Sequence, residues 1–278
     1  MNIIELSKLV RSKSSPEKMP VLFLGHGSPM NAIEENEFVK GFRSISETLP
    51  KPTSILCISA HWYTKGSFIT SMPMPRTIHD FGGFPAELYN VQYPVKGNPE
   101  LAKETKKLVD KTEIGLDETW GLDHGAWSVI KHLYPKADVP VIQLSIDYSK
   151  PPLYHFELAR QLSILRKRGV LIIGSGNIIH NLRLVDFYNF NKDNYGFDWA
   201  IEAQTIINKL ISNGDFLPLF NYESLGEAIR LAIPTPEHFL PLIYTLGLKD
   251  INDTITLFND KLLGGSLSMT CVRIDQKT

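Results

Sequence analysis

Cysteine is scarce: Cys57 and Cys271 are the only two in 278 residues. They stand far apart, each in or beside an apolar run, and no C-x-x-C pair occurs. A thiolate zinc site is therefore not implied, and both thiols are expected to be buried packing residues. Long apolar runs are missing too. No stretch approaches the ~18–20 apolar residues that span a bilayer, so no membrane partner is expected. The first twenty residues carry Lys8, Arg11, Lys13 and Lys18 and lack the apolar core of a signal peptide, so the expected compartment is cytoplasmic. Charge of one sign is also lacking, with a net −1. The short basic cluster Arg166, Lys167, Arg168 runs into Gly169 and reads as the end of a helix, complementing its dipole. Nucleic acid is not an expected partner. Internal repeats, low-complexity tracts and a compact oligomerisation signal are likewise absent.

What remains is ordinary globular material, 43% hydrophobic and 21% charged, enough to bury a sizeable core. Apolar runs at 20–24, 53–59, 139–146, 170–173 and 266–274 read as strands. Between them lie helical periods. Residues 34–49 align Phe38, Phe42, Ile45 and Leu49, and residues 99–111 start with Asn98 as a cap and Pro99 in the first turn. Residues 153–168 align Tyr154, Leu158, Leu162 and Leu165, and residues 199–211 align Trp199, Ala203, Ile206 and Leu210. Strands alternating with helices predict an α/β fold, a single domain with a central, mostly parallel sheet flanked by helices. It is placed at 20–278, after a leader at 1–19 that comprises a helix at 3–10 and a polar linker at 11–19. Residues 71–94 are rich in proline, glycine and aromatics without a period, which predicts a long functional loop.

Eight histidines are present, and several sit where an apolar strand meets a turn. Ligands in open α/β sheets bind outside the carboxyl ends of strands, so such side chains aim at a site. His26 follows the first strand in Gly25-His26-Gly27-Ser28-Pro29; the same pattern fits an ordinary strand-to-helix turn. His61 follows the second in Ser59-Ala60-His61-Trp62, where a histidine beside tryptophan also fits a core position. His180 follows Gly174-Ser175-Gly176-Asn177; the Gly-Ser-Gly fits a phosphate cradle, but the third glycine and downstream acid of a dinucleotide fingerprint are missing. His238 opens a helix in Pro234-Thr235-Pro236-Glu237-His238. His124 stands in Gly121-Leu122-Asp123-His124-Gly125. A carboxylate such as Asp123 can orient an imidazole for proton transfer, or simply cap a helix. His132 and His155 read as surface residues of helices, and His79 as part of a pocket wall. Imidazoles at several strand ends suit a divalent metal, Zn(II) or Fe(II), in a site assembled from distant segments, since no H-E-x-x-H occurs.

These motifs, with the loop His79-Asp80-Phe81-Gly82-Gly83-Phe84-Pro85, resemble the class III extradiol dioxygenase superfamily, in particular the 4,5-DOPA extradiol dioxygenase family. They span residues 20–240 in the family's order. The resemblance implies a LigB-like phosphorylase/hydrolase-type architecture and one divalent metal held by His26, His61 and His238. His180 is implied as a fourth ligand or as an acid/base, and Glu237 stands beside His238 as the alternative ligand. It further implies a catechol substrate bound through both oxygens, dioxygen at an adjacent open position, and ring opening beside the diol, with His124 and His180 moving protons. Arg76, Gln143 and Ser145 are candidates to hold a polar substrate tail. Trp62, Phe81, Phe84, Tyr89 and Tyr93 are candidates to wall the ring. Two other readings stand beside this one: a zinc-dependent hydrolase acting through metal-bound water, and a non-catalytic, Memo-like binding protein.

Overall fold

Strands rich in Val, Ile and Leu with no polar face must be covered on both sides, and that is how the apolar runs are used. The computed structural model describes residues 18–190 and 192–277; the helix expected at 3–10 and most of the linker at 11–19 lie outside them. The strands are β1 (Val21–Gly25), β2 (Ser54–Thr64), β3 (Ser67–Thr70), β4 (Ile114–Asp117), β5 (Val141–Asp147), β6 (Val170–Gly176), β7 (Asp253–Phe258), β8 (Leu262–Leu263), β9 (Leu267–Ser268) and β10 (Cys271–Gln276). The helices are α1 (Glu37–Glu47), α2 (Ala86–Tyr89), α3 (Pro99–Leu108), α4 (His124–Leu133), α5 (Pro152–Leu162), α6 (Asp198–Asn213), α7 (Glu227–Ala232) and α8 (Leu240–Gly247).

Eight strands form one sheet in the order β4-β3-β5-β2-β6-β1-β10-β7. Its centre, β5-β2-β6-β1, is parallel. The margins are not: β10 runs antiparallel to β1, β7 to β10, and β3 to β5. Successive residues feed opposite layers, as the pleat requires. Val21 and Phe23 join the layer containing Leu158, Ile207 and Ile243, while Leu22 and Leu24 join that of Phe42, Trp127 and Ile130. Helices α5, α6 and α8 thus cover one face, and α1 and α4 the other. The expected single α/β domain with a mostly parallel sheet is what forms. Cys57 and Cys271 are buried and unpaired, as expected.

Three readings need correction. The helix expected through residue 168 stops at Leu162; a 3-10 segment, Ser163–Arg168, carries the chain to Gly169 at φ 80°. Arg166 is not a solvated helix-end charge but fully buried. Its Nη1 pairs with Asp253 Oδ2 at 2.6 Å and donates to Leu248 O at 2.8 Å, while Nε donates to Met19 O at 2.8 Å. The run expected at 266–274 is split into β9 and β10. Short strands β3, β4 and β7 carry too few apolar residues to stand out by periodicity.

The Arg166–Asp253 pair ties the segment before β6 to the edge strand β7, and Lys18 adds a contact to Asp253 at 3.0 Å. Burial raises the Asp253 carboxyl, but Arg166, the Asp250 amide and Lys18 outweigh it and hold it below its ordinary value. A depressed carboxyl contributes stability above its unfolded pKa of about 3.9, and that contribution is lost as pH falls through the folded value. Asp253→Asn should cost about 3–5 kcal/mol at pH 7 by leaving a buried guanidinium unpaired. It should also flatten the acid limb of the stability profile. Urea unfolding of both proteins at pH 7 and pH 4 checks this; equal midpoints at pH 7 would refute it.

Candidate metal centre

The parallel strands deliver their carboxyl ends to one edge of the sheet, and the histidines collect there. β1 ends at Gly25, and the next amide, His26 N, donates to Gly176 O at the end of β6 at 3.1 Å. His61 is presented differently from the expectation. β2 does not stop before it; the β2–β5 ladder breaks between Ile58 and Tyr63, leaving Ser59 to Trp62 as a bulge that carries His61. Bulges re-aim side chains in this way. Beyond β6, Asn177 Nδ2 is bonded to Ser268 O at 2.7 Å, and His180 N to Ala232 O at 2.9 Å. His238 lies just before α8, its carbonyl accepting from Asn177 N at 2.9 Å. A Cβ at Gly176 would collide with that carbonyl, so only glycine permits the approach. His124 is the first residue of α4, capped by Asp123, whose carboxylate accepts from Ala126 N at 3.1 Å.

All five rings face one pocket. Ring centroids lie 5.1 Å apart for His26–His61, 5.3 Å for His26–His238 and 5.1 Å for His61–His238. His124 is 3.9 Å from His61, and His180 stacks on His238 at 3.5 Å. Ligand atoms within mutual metal-binding reach group as His26, His61 and His124, and as His180, Glu237 and His238. The expected four line one pocket, but their ligand atoms divide between the two groups, His26 and His61 with His124, and His180 and His238 with Glu237. Glu237 Oε1 accepts from Thr235 Oγ1 at 2.7 Å and lies 3.4 Å from His238 Nδ1.

The hydrogen bonds behind the rings decide what the rings can bind. Ser175 Oγ donates to Gly125 O at 2.5 Å, so toward His26 Nδ1, 3.0 Å away, it is the acceptor. His26 therefore carries its proton on Nδ1 and turns a bare Nε2 inward, where His61 Nε2 lies 3.3 Å away. His61 Nδ1 faces Asp80 Oδ2 at 3.4 Å. Burial, then the neighbouring imidazoles, push His26 and His238 well below the ordinary histidine value; burial likewise lowers His61, and takes His180 to about 4. Two neutral imidazole nitrogens this close either share a proton as a hydrogen bond or hold a cation between them. A divalent metal fits this donor set.

The pocket measures 390 Å³ and is lined, besides the imidazoles, by Gly27, Ser28, Pro29, Phe81 and Phe84, and by Leu182, Val185, Phe187, Phe190 and Leu267. Of the expected ring-walling aromatics, Phe81 and Phe84 are there. Trp62 instead stacks on Trp120, Tyr93 bonds Tyr134 O, and Tyr89 packs behind Phe81. The expected tail-binding residues face elsewhere. Gln143 is buried against Asp123, Ser145 bonds Thr64 and Phe68, and Arg76 bonds Trp120 O. His132 and His155 are not surface residues: they are 7% and 0% exposed, bonded to Asn31 O and Tyr244 OH. His79 bonds Val91 O and packs on Trp127, outside the pocket lining. The carboxylate facing His124 is Asp80, 3.0 Å from its Nδ1, rather than Asp123. Asp80, Phe187 and Phe190 were missed; a carboxylate in a loop and aromatics in an aperiodic segment carry no pattern.

Buried imidazoles at the strand ends, in an apolar pocket, define a metal-dependent α/β enzyme. Comparison with known proteins agrees. Residues 20–202 match the family described as the catalytic LigB subunit of aromatic ring-opening dioxygenase. The 4,5-DOPA dioxygenase extradiol of Escherichia coli K12 is 45% identical, over 94% of this chain and 96% of its own. That of Beta vulgaris is 36% identical, over 88% and 92%. The crystal structure of an uncharacterized protein from Escherichia coli K12 superposes with a TM-score of 0.78 at 40% identity, covering 92% of this chain and 99% of that one. The chain belongs to the LigB family and is an aromatic ring-opening dioxygenase of the extradiol type, which displaces the hydrolase and Memo-like readings.

Gly125 tests the geometry of the His61 ring and of the Ser59 hydroxyl beside it. A Cβ on Gly125 would stand 2.7 Å from His61 Cδ2 and 2.5 Å from Ser59 Oγ. Gly125→Ala favours the helix locally yet must displace the His61 ring. Zinc affinity should fall about 10–100-fold, as when a ligand's support is lost, with the protein still folded. Competition against a chromophoric chelator measures it; unchanged affinity would exclude the tight ring placement.

Proposed function

We propose that this chain opens the ring of a catechol with a DOPA-like tail, using dioxygen, at a single divalent metal held by His26, His61, His238 and His180. The observation that carries this reading is the convergence of imidazoles from remote segments into one buried pocket. Glu237 supports His238 as the ligand over itself, because its carboxylate oxygen is engaged by Thr235 and sits on the Nδ1 side of the His238 ring. When bound, an Fe(II) ion supplies the electron sharing between catecholate and oxygen that redox-silent Zn(II) does not.

The chain's own residues prepare the reaction. Ser175 fixes His26 as a donor through Nε2, and neutral rings bind a cation without first losing protons. Phe81, Phe84, Phe187 and Phe190 offer flat apolar surface to an aromatic ring and exclude water around it. The volume falls within the ~300–1,000 Å³ of small-ligand sites. His124 lies beside His61, 3.9 Å between ring centroids, and in this reading it takes protons from the diol and returns them to the opened product.

Residues 20–278 form the catalytic unit in this reading. His238 and the strands β7 and β10 lie beyond the family match at 202, yet the site and the sheet both need them. Among the described residues no helix is long and apolar enough to cross a membrane. A cytoplasmic location, with no nucleic-acid or membrane partner, completes the proposal.

Protein reconstituted anaerobically with Fe(II) should consume oxygen in equimolar amount with L-DOPA, and the zinc-loaded form should consume none. An oxygen electrode reads this directly; no uptake with any catechol would end the assignment. His61→Ala should lose the stoichiometric metal. His124→Gln should keep the metal and lose about 10²–10⁴-fold in kcat, the usual size of an acid–base contribution. A His124 variant without metal would instead make that residue a ligand.

A further inference from the structure

We infer that Asp80 is a positioning residue that serves two imidazoles at once, orienting His61 toward the metal and His124 toward the reacting proton. Its carboxylate lies in the loop between β3 and α2, and the residues just before it are tied down. Ile78 N donates to Leu122 O at 2.7 Å, Leu122 N to Arg76 O at 2.9 Å, and Trp127 Nε1 to Ile78 O at 2.8 Å. His79 Nε2 is bonded to Val91 O at 2.9 Å. Asp80 is thereby held against the first turn of α4. Oδ1 accepts from the His124 amide at 2.8 Å and lies 3.0 Å from His124 Nδ1, while Oδ2 lies 3.4 Å from His61 Nδ1. Among the described residues, its ion-pair contacts are these two imidazoles and no lysine or arginine.

The two contacts have one chemical consequence. A carboxylate facing Nδ1 favours the proton on that nitrogen and leaves Nε2 bare. On His61 the bare Nε2 points to His26 Nε2, where a cation would sit. On His124 it yields a neutral ring with a free lone pair, the form that accepts a proton. Both contacts are skewed from hydrogen-bond alignment, as pairs in catalytic sites commonly are before substrate binds. One side chain thus couples the ring that binds the metal to the ring that handles the proton.

This inference rests on the proposed metal centre, and its test separates the two. Asp80→Asn keeps an oxygen for the His124 amide but places an NH2 where His61 Nδ1–H needs an acceptor. Asp80→Ala removes both, and Asp80→Glu keeps the charge. In Asp80→Asn the melting temperature should stay near that of the unaltered protein. Zinc affinity should fall about 10–100-fold, and kcat should fall with KM little changed. Asp80→Glu should recover part of both. Long-range ¹H–¹⁵N spectra of the zinc-loaded proteins should show Nδ1-protonated His61 and His124 in the unaltered chain and a changed tautomer for at least one ring in Asp80→Asn. Unchanged affinity and unchanged tautomers in Asp80→Asn would overturn the inference, whatever the activity. If the metal and tautomer effects appear but no form of the protein consumes oxygen with a catechol, the reaction assignment fails and the positioning role stands.

Discussion

The close approach of two imidazoles is the constraint from which the rest follows. His26 Nε2 and His61 Nε2 face each other at 3.3 Å, and burial, with the imidazoles beside each, disfavours a second proton on either ring. Without a shared proton or a cation between them, such an approach is unfavourable. It persists because the backbone leaves the rings little choice: one is held by Ser175 at a strand end, the other by a bulge packed against Gly125. The fold holds ligands in place ahead of the ion, the pre-organisation that a catalytic metal site requires.

The support for that arrangement is distributed through polar groups that look structural when met singly. Asp123 caps α4 and also accepts from Ser59 Oγ at 2.6 Å and Gln143 Nε2 at 2.7 Å. The bulge carrying His61, the helix start carrying His124 and the strand β5 are thus joined at one buried carboxylate. Satisfied buried networks of this sort fix a single arrangement more sharply than apolar packing does.

Much of this was legible in the chain itself. Apolar runs ended by glycine located β1 and β6, and hence His26 and His180, because strand ends in parallel sheets share one edge. Period 3.6 located α1, α5 and α6, and the Asn98–Pro99 cap located α3; the short helices α2 and α7 span too few turns to show a period. What was not legible depends on contacts between distant segments. The β2 bulge is defined only by its partner β5. The burial of His132, His155 and Arg166 depends on Asn31, Tyr244 and Asp253, each far away in sequence. Polar side chains on helices read as solvent-facing until a partner closes over them. Gln143 and Ser145 show the converse: both sit on β5 near the right edge of the sheet, yet turn away from the pocket to satisfy buried groups.

The order of the strands has a consequence for biosynthesis. Position 26 must meet position 238, and β1 is completed on one side by β10, with Val21 opposite Ile274. Contacts of such long sequence separation form late, so during translation the amino-terminal imidazoles emerge from the ribosome with half their partners unmade. His180 and His238 can join His26 and His61 only after most of the chain has been made, so the pocket of five imidazoles belongs to a folded chain and not to a nascent peptide.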